Sequence, residues 1–283
     1  MKQLLLLGLA LVSFSLAAQS PWPRSKADFF VQAAWQTIPT YDKVFESLND
    51  LTIQPDRELT ENTFQLYGEY GLTARNTLIA SLPFRSMRSG DFIPNHFAVP
   101  ETAKGTLSGL GNASLGLRSA ILTGKIKLTG TLRFDFPISN YDDSTGLRTG
   151  YNTWTIQPTL STGMGLRRWY WFTYAGYGLR TRGYSHFVNG GGETGIKFRK
   201  FWLIGFTELV YSLENGSISL PIRNRIKNSF VDRQGWWSMG AKTIFEATPH
   251  WGITASYGGA GWAQFVPKSP GISLGVYFNS LSL

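Results

Sequence analysis

From Lys125 to Pro137 the chain reads KIKLTGTLRFDFP, and its alternate positions separate by polarity. Ile126, Leu128, Gly130, Leu132, Phe134 and Phe136 form one series; Lys127, Thr129, Thr131, Arg133 and Asp135 form the other. Successive side chains of a β-strand point to opposite faces, so the stretch predicts a strand with one apolar and one polar face. The alternation outlasts an ordinary strand of ~5–6 residues and suits a tilted bilayer crossing of ~9–11 residues.

The same rhythm recurs along most of the chain. It predicts strands over 28–37, 63–70, 77–85, 110–122, 125–137, 151–164, 168–182, 188–198, 201–213, 235–246, a segment after His250, and 272–281. Short reversals such as Gly71 to Asn76, Thr123-Gly124, Gly165 to Arg167, Arg199-Lys200 and Thr248 to His250 alternate with long connections over 38–58, 86–107 and 214–233. Tight turns on one side and long loops on the other are the arrangement of an outer-membrane barrel, with both chain ends on the tight-turn side. The expected fold is therefore all-β: a single transmembrane antiparallel β-barrel of about 12 strands, closed without an edge. The competing reading is a soluble β-sandwich, which the long strands and their continuous apolar faces disfavour. Pro83 and Pro158 interrupt this pattern. In a closed sheet each must sit at a bulge or cost one ladder bond.

Composition sharpens the picture. Charged residues make up 16% of the chain and aromatics 14%, with 31 glycines, 10 tryptophans and no cysteine. Disulfides, thiolate chemistry and a lipid-anchored cysteine are thereby excluded. Trp169, Trp171, Trp202 and Trp251 fall just beyond tight turns, and Trp236, Trp237 and Trp262 beside long loops, where aromatic girdles belong. Lys2, the apolar run Leu4 to Val12 and the small residues Ser15 to Ala18 predict a signal peptide over 1–18 and a barrel domain over 19–283. No later segment is apolar enough to cross a bilayer as a helix. The formal charge of +9 comes from scattered basic residues, so the expected partners are outer-membrane lipid and a small-molecule solute rather than nucleic acid.

The polar series should face the lumen. It places Glu69, Arg85, Arg118, Lys127, Arg133, Asp135, Arg180, Arg182, Glu193, Lys197, Glu208, Lys242 and Glu246 inside. Two readings stay open: opposite charges that pair across a narrow barrel and fill it, or a passage biased toward anions, with Arg180 and Arg182 adjacent near the outer mouth. Some inward positions are aromatic: Tyr170, Phe172 and Tyr174 share parity with Arg180, and Trp202 and Phe206 with Glu208. These residues form either core packing or a binding region for an apolar solute. Catalysis is not expected. His96 and His186 fall in outer loops and His250 in a turn, none with the spacing of a nucleophilic triad. The carboxylates form no metal-ligand cluster, and no cofactor is expected. Gly109-x-Gly111 precedes strand alternation and not a helix, so it is no phosphate loop, and Gly190-Gly191-Gly192 reads as a close backbone contact.

Several segments together resemble a known family. They are Glu69-Tyr70-Gly71-Leu72-Thr73 leading into Thr77 to Pro83; Gly109-Leu110-Gly111-Asn112 followed by Leu115 to Arg118; Thr145-Gly146, Gly150 and Trp154 to Pro158; Gly191 to Gly195; and Leu274-Gly275-Val276-Tyr277-Phe278. Their order resembles the outer-membrane barrels named "MetA-pathway of phenol degradation", relatives of the long-chain fatty-acid transporter class. An acidic residue is more usual in that family where Asn112 stands. The resemblance implies a transporter of small hydrophobic or aromatic compounds and carries over no binding residue. Three functions follow as expectations: a passive outer-membrane transporter for such compounds, a narrow anion-leaning channel for acidic solutes, or a non-transporting barrel that binds an envelope protein through its loops. The Thr40 to Glu58 segment could also fold inward as a constriction.

Overall fold

The computed structural model describes residues 19–45, 52–94 and 101–280. The predicted signal peptide, His96 and the last residues of the predicted twelfth strand lie outside these ranges. In chain order the elements are β1 (Phe29–Tyr41), β2 (Val44–Phe45), β3 (Thr52–Ile53), β4 (Arg57–Gly71), β5 (Asn76–Phe92), β6 (Gly105–Leu110), β7 (Ser114–Leu122), β8 (Ile126–Asp135), β9 (Thr155–Gly165), β10 (Trp169–Arg180), β11 (Phe187–Phe198), β12 (Phe201–Ser212), α1 (Ile222–Lys227), β13 (Gly235–Glu246), β14 (Trp251–Gln264) and β15 (Gly271–Asn279).

Neighbours in sequence pair antiparallel around the sheet, and β1 joins β15 on one side and β4 on the other, so the wall closes. β6 and β7 lie end to end against β5. Counted as one stave, they make a barrel of 12 strands, and β2 and β3 form a separate two-stranded ribbon. Closure lets the backbone donors and acceptors of neighbouring strands pair within the wall, which lipid cannot do. The apolar series faces outward: Val31, Leu66, Leu82, Leu117, Leu132, Leu160, Leu203 and Leu274 are all exposed. None of the described helices is long and apolar enough to cross a membrane.

Both prolines sit at interruptions of the ladder. Ser81 pairs with Ser114 and Phe84 with Leu110, so Leu82 and Pro83 face the three-residue break between β6 and β7. The Pro83 carbonyl there accepts the Gly111 amide at 2.8 Å. Pro158 lies where the β9–β10 register skips from Ile156 to Thr159. Asn112 staples the first break: its Nδ2 donates to the Phe136 and Tyr151 carbonyls at 2.9 and 2.7 Å, and its Oδ1 accepts the Tyr151 amide at 2.7 Å. An acid at this position would lose both donor bonds, which accounts for the amide.

The structure extends the strand pattern at the long-loop end. The third predicted strand was expected to end at Arg85; β5 continues to Phe92, and β6 resumes at Gly105. Beyond the lipid belt the outward face no longer has to be apolar, so Ser86 and Arg88 continue the series of Leu82 and Phe84 with polar side chains while Met87 turns into the buried end. This end is capped. Tyr41, Val44, Leu59, Met87 and Leu147 form a buried cluster across the mouth, so part of the 40–58 segment folds over the lumen. The loop after β12 carries the unexpected helix α1, which ends in left-handed Asn228 at φ 52°. A buried ion pair fastens the helix: Lys227 Nζ lies 2.7 Å from Asp56 Oδ1, both side chains fully buried, and Thr102 donates its amide and hydroxyl to Asp56 Oδ2 at 2.8 and 2.7 Å.

Burial pushes the Asp56 carboxyl up, but the Lys227 and Thr102 donors outweigh it and hold it below its ordinary value. The stabilisation it gives is therefore complete above the unfolded carboxylate pKa of about 3.9 and is lost as the pH falls through the lower native value. Lys227→Ala should leave Asp56 buried without its cation, at a cost of about 3–5 kcal/mol. Trypsin should then cut at Arg223 or Arg225 faster than in the parent while the barrel stays intact. In the parent, pepsin should reach this loop only below about pH 3.9. Equal cleavage of variant and parent would show that the ion pair does not hold the loop.

Candidate functional site: the barrel lumen

The inward face of each strand builds the lumen, and the segment before β1 enters it from the tight-turn end. The Trp22 ring stands edge-on to Tyr170 and Phe172, with centroids 5.6 Å apart in both cases. Such pairs are worth about 0.5–1.5 kcal/mol each. Phe172, Tyr174 and Phe206 form a buried cluster with Trp22 and Tyr170 packed against it, and Trp202 stands edge-on to Tyr170 at 5.2 Å. The glycines of β11 make this packing possible. A Cβ on Gly195 would come within 2.5 Å of the Tyr170 ring, and one on Gly191 within 2.9 Å of the Tyr174 hydroxyl. The Gly190 to Gly192 run is thus the close contact expected. Around these rings lies a cavity of about 660 Å³ that also reaches Phe30, Tyr67 and Tyr277.

Charges around this inner cavity are paired. Glu69 Oε2 lies 2.7 Å from Arg24 Nε, and Glu69 Oε1 lies 3.1 Å from the fully buried Arg118. Tyr67 adds its hydroxyl to the same carboxylate at 2.6 Å, and Arg118 also donates to the Trp22 carbonyl at 3.0 Å. Lys242 pairs with Glu193 at 2.8 Å and Lys197 with Glu246 at 2.6 Å. Tyr170 donates to Glu193 at 2.6 Å, and the Trp202 indole to Glu246 at 2.8 Å.

A second cavity of about 230 Å³ lies toward the capped end, and the two adjoin along Gln36, Gln65 and Arg133. Arg133 pairs with Asp135 at 3.0 Å and donates to Gln157 at 2.6 Å. Arg85, Arg180 and Glu208 also line this chamber, and none of the three has an ion-pair partner among the described residues.

Two of the expected lumen residues stand elsewhere. Arg182 is exposed in the loop after β10 and binds the Asn152 backbone and side-chain oxygens. Its left-handed backbone, φ 55°, ends the strand alternation that placed it beside Arg180. Lys127 has inward parity but sits at the tight-turn rim, where its ammonium folds back onto the Thr123 carbonyl at 2.5 Å. Several lining residues carried no local signal. Trp22 and Arg24 precede the first strand, Phe230 comes from a loop, and Glu61 lies on the part of β4 outside the predicted strand; Tyr151 opens the strand predicted over 151–164 but stands in the loop before β9, which begins at Thr155. Among the described residues no group of acids and histidines is placed to hold a metal ion.

No family model and no curated protein sequence matches the chain. Solved structures do share the fold. The COG4313 outer membrane channel from Pseudomonas putida F1 aligns over 95% of this chain and 99% of its own, with 17% identity and a TM-score of 0.66. The translocator domain of the autotransporter NalP from Neisseria meningitidis aligns over 90% of each chain, with 10% identity and a TM-score of 0.51. The toluene transporter TodX from Pseudomonas putida aligns over 91% of each chain at 11% identity with a TM-score of 0.46, a likeness too remote to carry an argument. Together with the exposed apolar belt, the first two alignments identify the fold as that of a β-barrel of the bacterial outer membrane.

The inner end of the lumen gives a direct test. Glu69 is the shared acceptor of Arg24, Arg118 and Tyr67, and the Arg24 amide donates to Thr77 Oγ1 at 2.7 Å. Glu69→Ala should strand a buried Arg118, at a cost of about 3–5 kcal/mol, and free the 19–25 segment. Hydrogen exchange at the Arg24 amide should accelerate. An unchanged rate would mean that the ring contacts of Trp22 alone retain the segment.

Proposed function

We propose that the chain is a passive outer-membrane transporter of small hydrophobic or aromatic compounds. The observation that carries the reading is the inner cavity: Trp22, Tyr170, Phe172, Trp202 and Phe206 present ring surface to about 660 Å³ of space. A channel for water and ions gains nothing from such a lining, since apolar surface facing water is unfavourable. A planar apolar solute gains by burial against it, at roughly 25 cal/mol per Å² removed from water. The paired charges around the cavity support the same reading. Glu193 with Lys242 and Glu246 with Lys197 present little net field to a passing solute, and their hydrogen bonds occupy the Tyr170 and Trp202 polar tips. Movement through a barrel of this kind follows the solute gradient.

Cells with an intact lipopolysaccharide layer that produce the chain should take up labelled toluene several-fold faster than cells without it. Glucose, which is polar and uncharged, should enter both kinds of cell equally. A chain that speeds both solutes alike is an unselective pore, and one that speeds neither is not a transporter of this class; either result would overturn the reading.

A further inference from the structure

We infer that the outer chamber of the lumen is a binding station for small aromatic carboxylates, built from Arg85 and Arg180. The inference deepens the transporter reading and rests on it. The two guanidiniums belong to one continuous stack of rings. Arg85 lies over Phe230 at 4.4 Å, Phe230 stands edge-on to Tyr151 at 5.4 Å, and Arg180 lies over Tyr151 at 4.1 Å and over Phe187 at 4.5 Å. Ring faces fix the plane of each guanidinium and leave its edge, the fork that matches a carboxylate, for another partner.

Among the described residues no acid reaches either fork. The Nε of Arg85 and that of Arg180 are buried without a hydrogen-bond partner, and neither side chain has a carboxylate within ion-pair distance among the described residues. The described acids of the chamber all stand outside ion-pair distance of both arginines. Asp135 is taken by Arg133. Glu61 is the acid that acts on Arg85, but it stays outside ion-pair distance and accepts the Tyr41 hydroxyl at 2.7 Å. The remaining acid, Glu208, is buried on β12, with Arg133 as the cation that faces it. This contrasts with the inner cavity, where each lysine and arginine has its acid. Half-buried cations without an acid partner are costly, so two of them facing one small chamber make a place where an incoming anion is stabilised.

The ligand class follows from the walls. Phe187, Tyr151 and Phe230 would flank the body of a solute whose carboxylate meets the arginines, so a ring suits the site better than a bare inorganic anion. At about 230 Å³ the chamber is smaller than the ~300–1,000 Å³ of drug-sized sites, which limits it to one ring and excludes oligosaccharides.

The test is fluorine NMR on the full barrel in detergent micelles, with 4-fluorobenzoate as ligand, its neutral analogue 4-fluorobenzyl alcohol as control and empty micelles as blank. The parent should bind the carboxylate more tightly than the alcohol. Arg85→Gln with Arg180→Gln should weaken the carboxylate about tenfold, as loss of a charge-assisted hydrogen bond predicts, and leave the alcohol unchanged. Barrel integrity is read by resistance to cold SDS. Should the double variant fail to fold, each single variant should give about a threefold loss. Equal binding of acid and alcohol by the parent, or carboxylate affinity retained in the folded variants, would overturn the inference. Displacement of 4-fluorobenzoate by an equal concentration of inorganic phosphate would overturn the aromatic class. Binding is measured without transport, so the result stands apart from toluene uptake.

Discussion

Lipid offers the backbone no hydrogen-bond partner, and the rest of the molecule follows from that. Each strand must pair on both sides, so the sheet must close. Once it is closed, every residue faces either lipid or lumen, and side-chain period two becomes compulsory through the belt. The apolar half of KIKLTGTLRFDFP goes out because it must. The polar half then goes into an interior too narrow to keep its charges fully hydrated. The interior answers with ion pairs: Arg118 is completely enclosed and survives there because Glu69 and the Trp22 carbonyl receive its donors. The two prolines show how little irregularity the rule permits. Each falls where one neighbouring ladder is already broken, and the break beside Pro83 is held by Asn112.

This logic explains what was readable in the chain and what was not. Strand number, facing and closure were legible, because a one-residue slip would reverse every side chain and the pattern cannot be ambiguous inside the belt. Strand ends were not, because the constraint stops where lipid stops. Above it, Ser86 to Gly90 extend β5 with no apolar series, and Arg182 leaves the alternation through a left-handed residue. Parity also assigns direction without depth, which is why Lys127 could share a face with Arg133 and yet lie at the rim.

The interior was legible as a list of residues and not as a set of partners. Alternation placed Glu69, Arg133, Glu193 and Glu246 inward, but pairing depends on which strands adjoin and on how far each is tilted. The residues that complete the lumen come from irregular segments. Trp22 and Arg24 arrive before β1 and Phe230 comes from the loop after β12, so no periodicity marks them, while Tyr151 was read into a strand that begins only at Thr155. Glycine gave a faint signal. The run Gly190 to Gly192 read as a close contact, and the structure supplies its cause: a Cβ at Gly191 would meet the Tyr174 hydroxyl and the Thr207 carbonyl, and one at Gly192 the Phe172 carbonyl.

Passive transport requires that a solute be held firmly enough to enter and loosely enough to leave. In the transport proposed for this chain, the two cavities divide that task by the kind of interaction each can offer. Near the cap, Arg85 and Arg180 combine charge with ring surface, which selects by electrostatics and shape together. Beyond Arg133 the charges cancel in pairs and only ring surface remains, so attraction there is weaker and indifferent to sign. A solute moving inward gives up directional contacts before dispersive ones, with Gln36, Gln65 and Arg133 at the handover. Had the arginines been paired and the inner charges left free, the same composition would have made a polar trap at the periplasmic end. The placement of the ion pairs, more than the total of +9, decides what the barrel can pass.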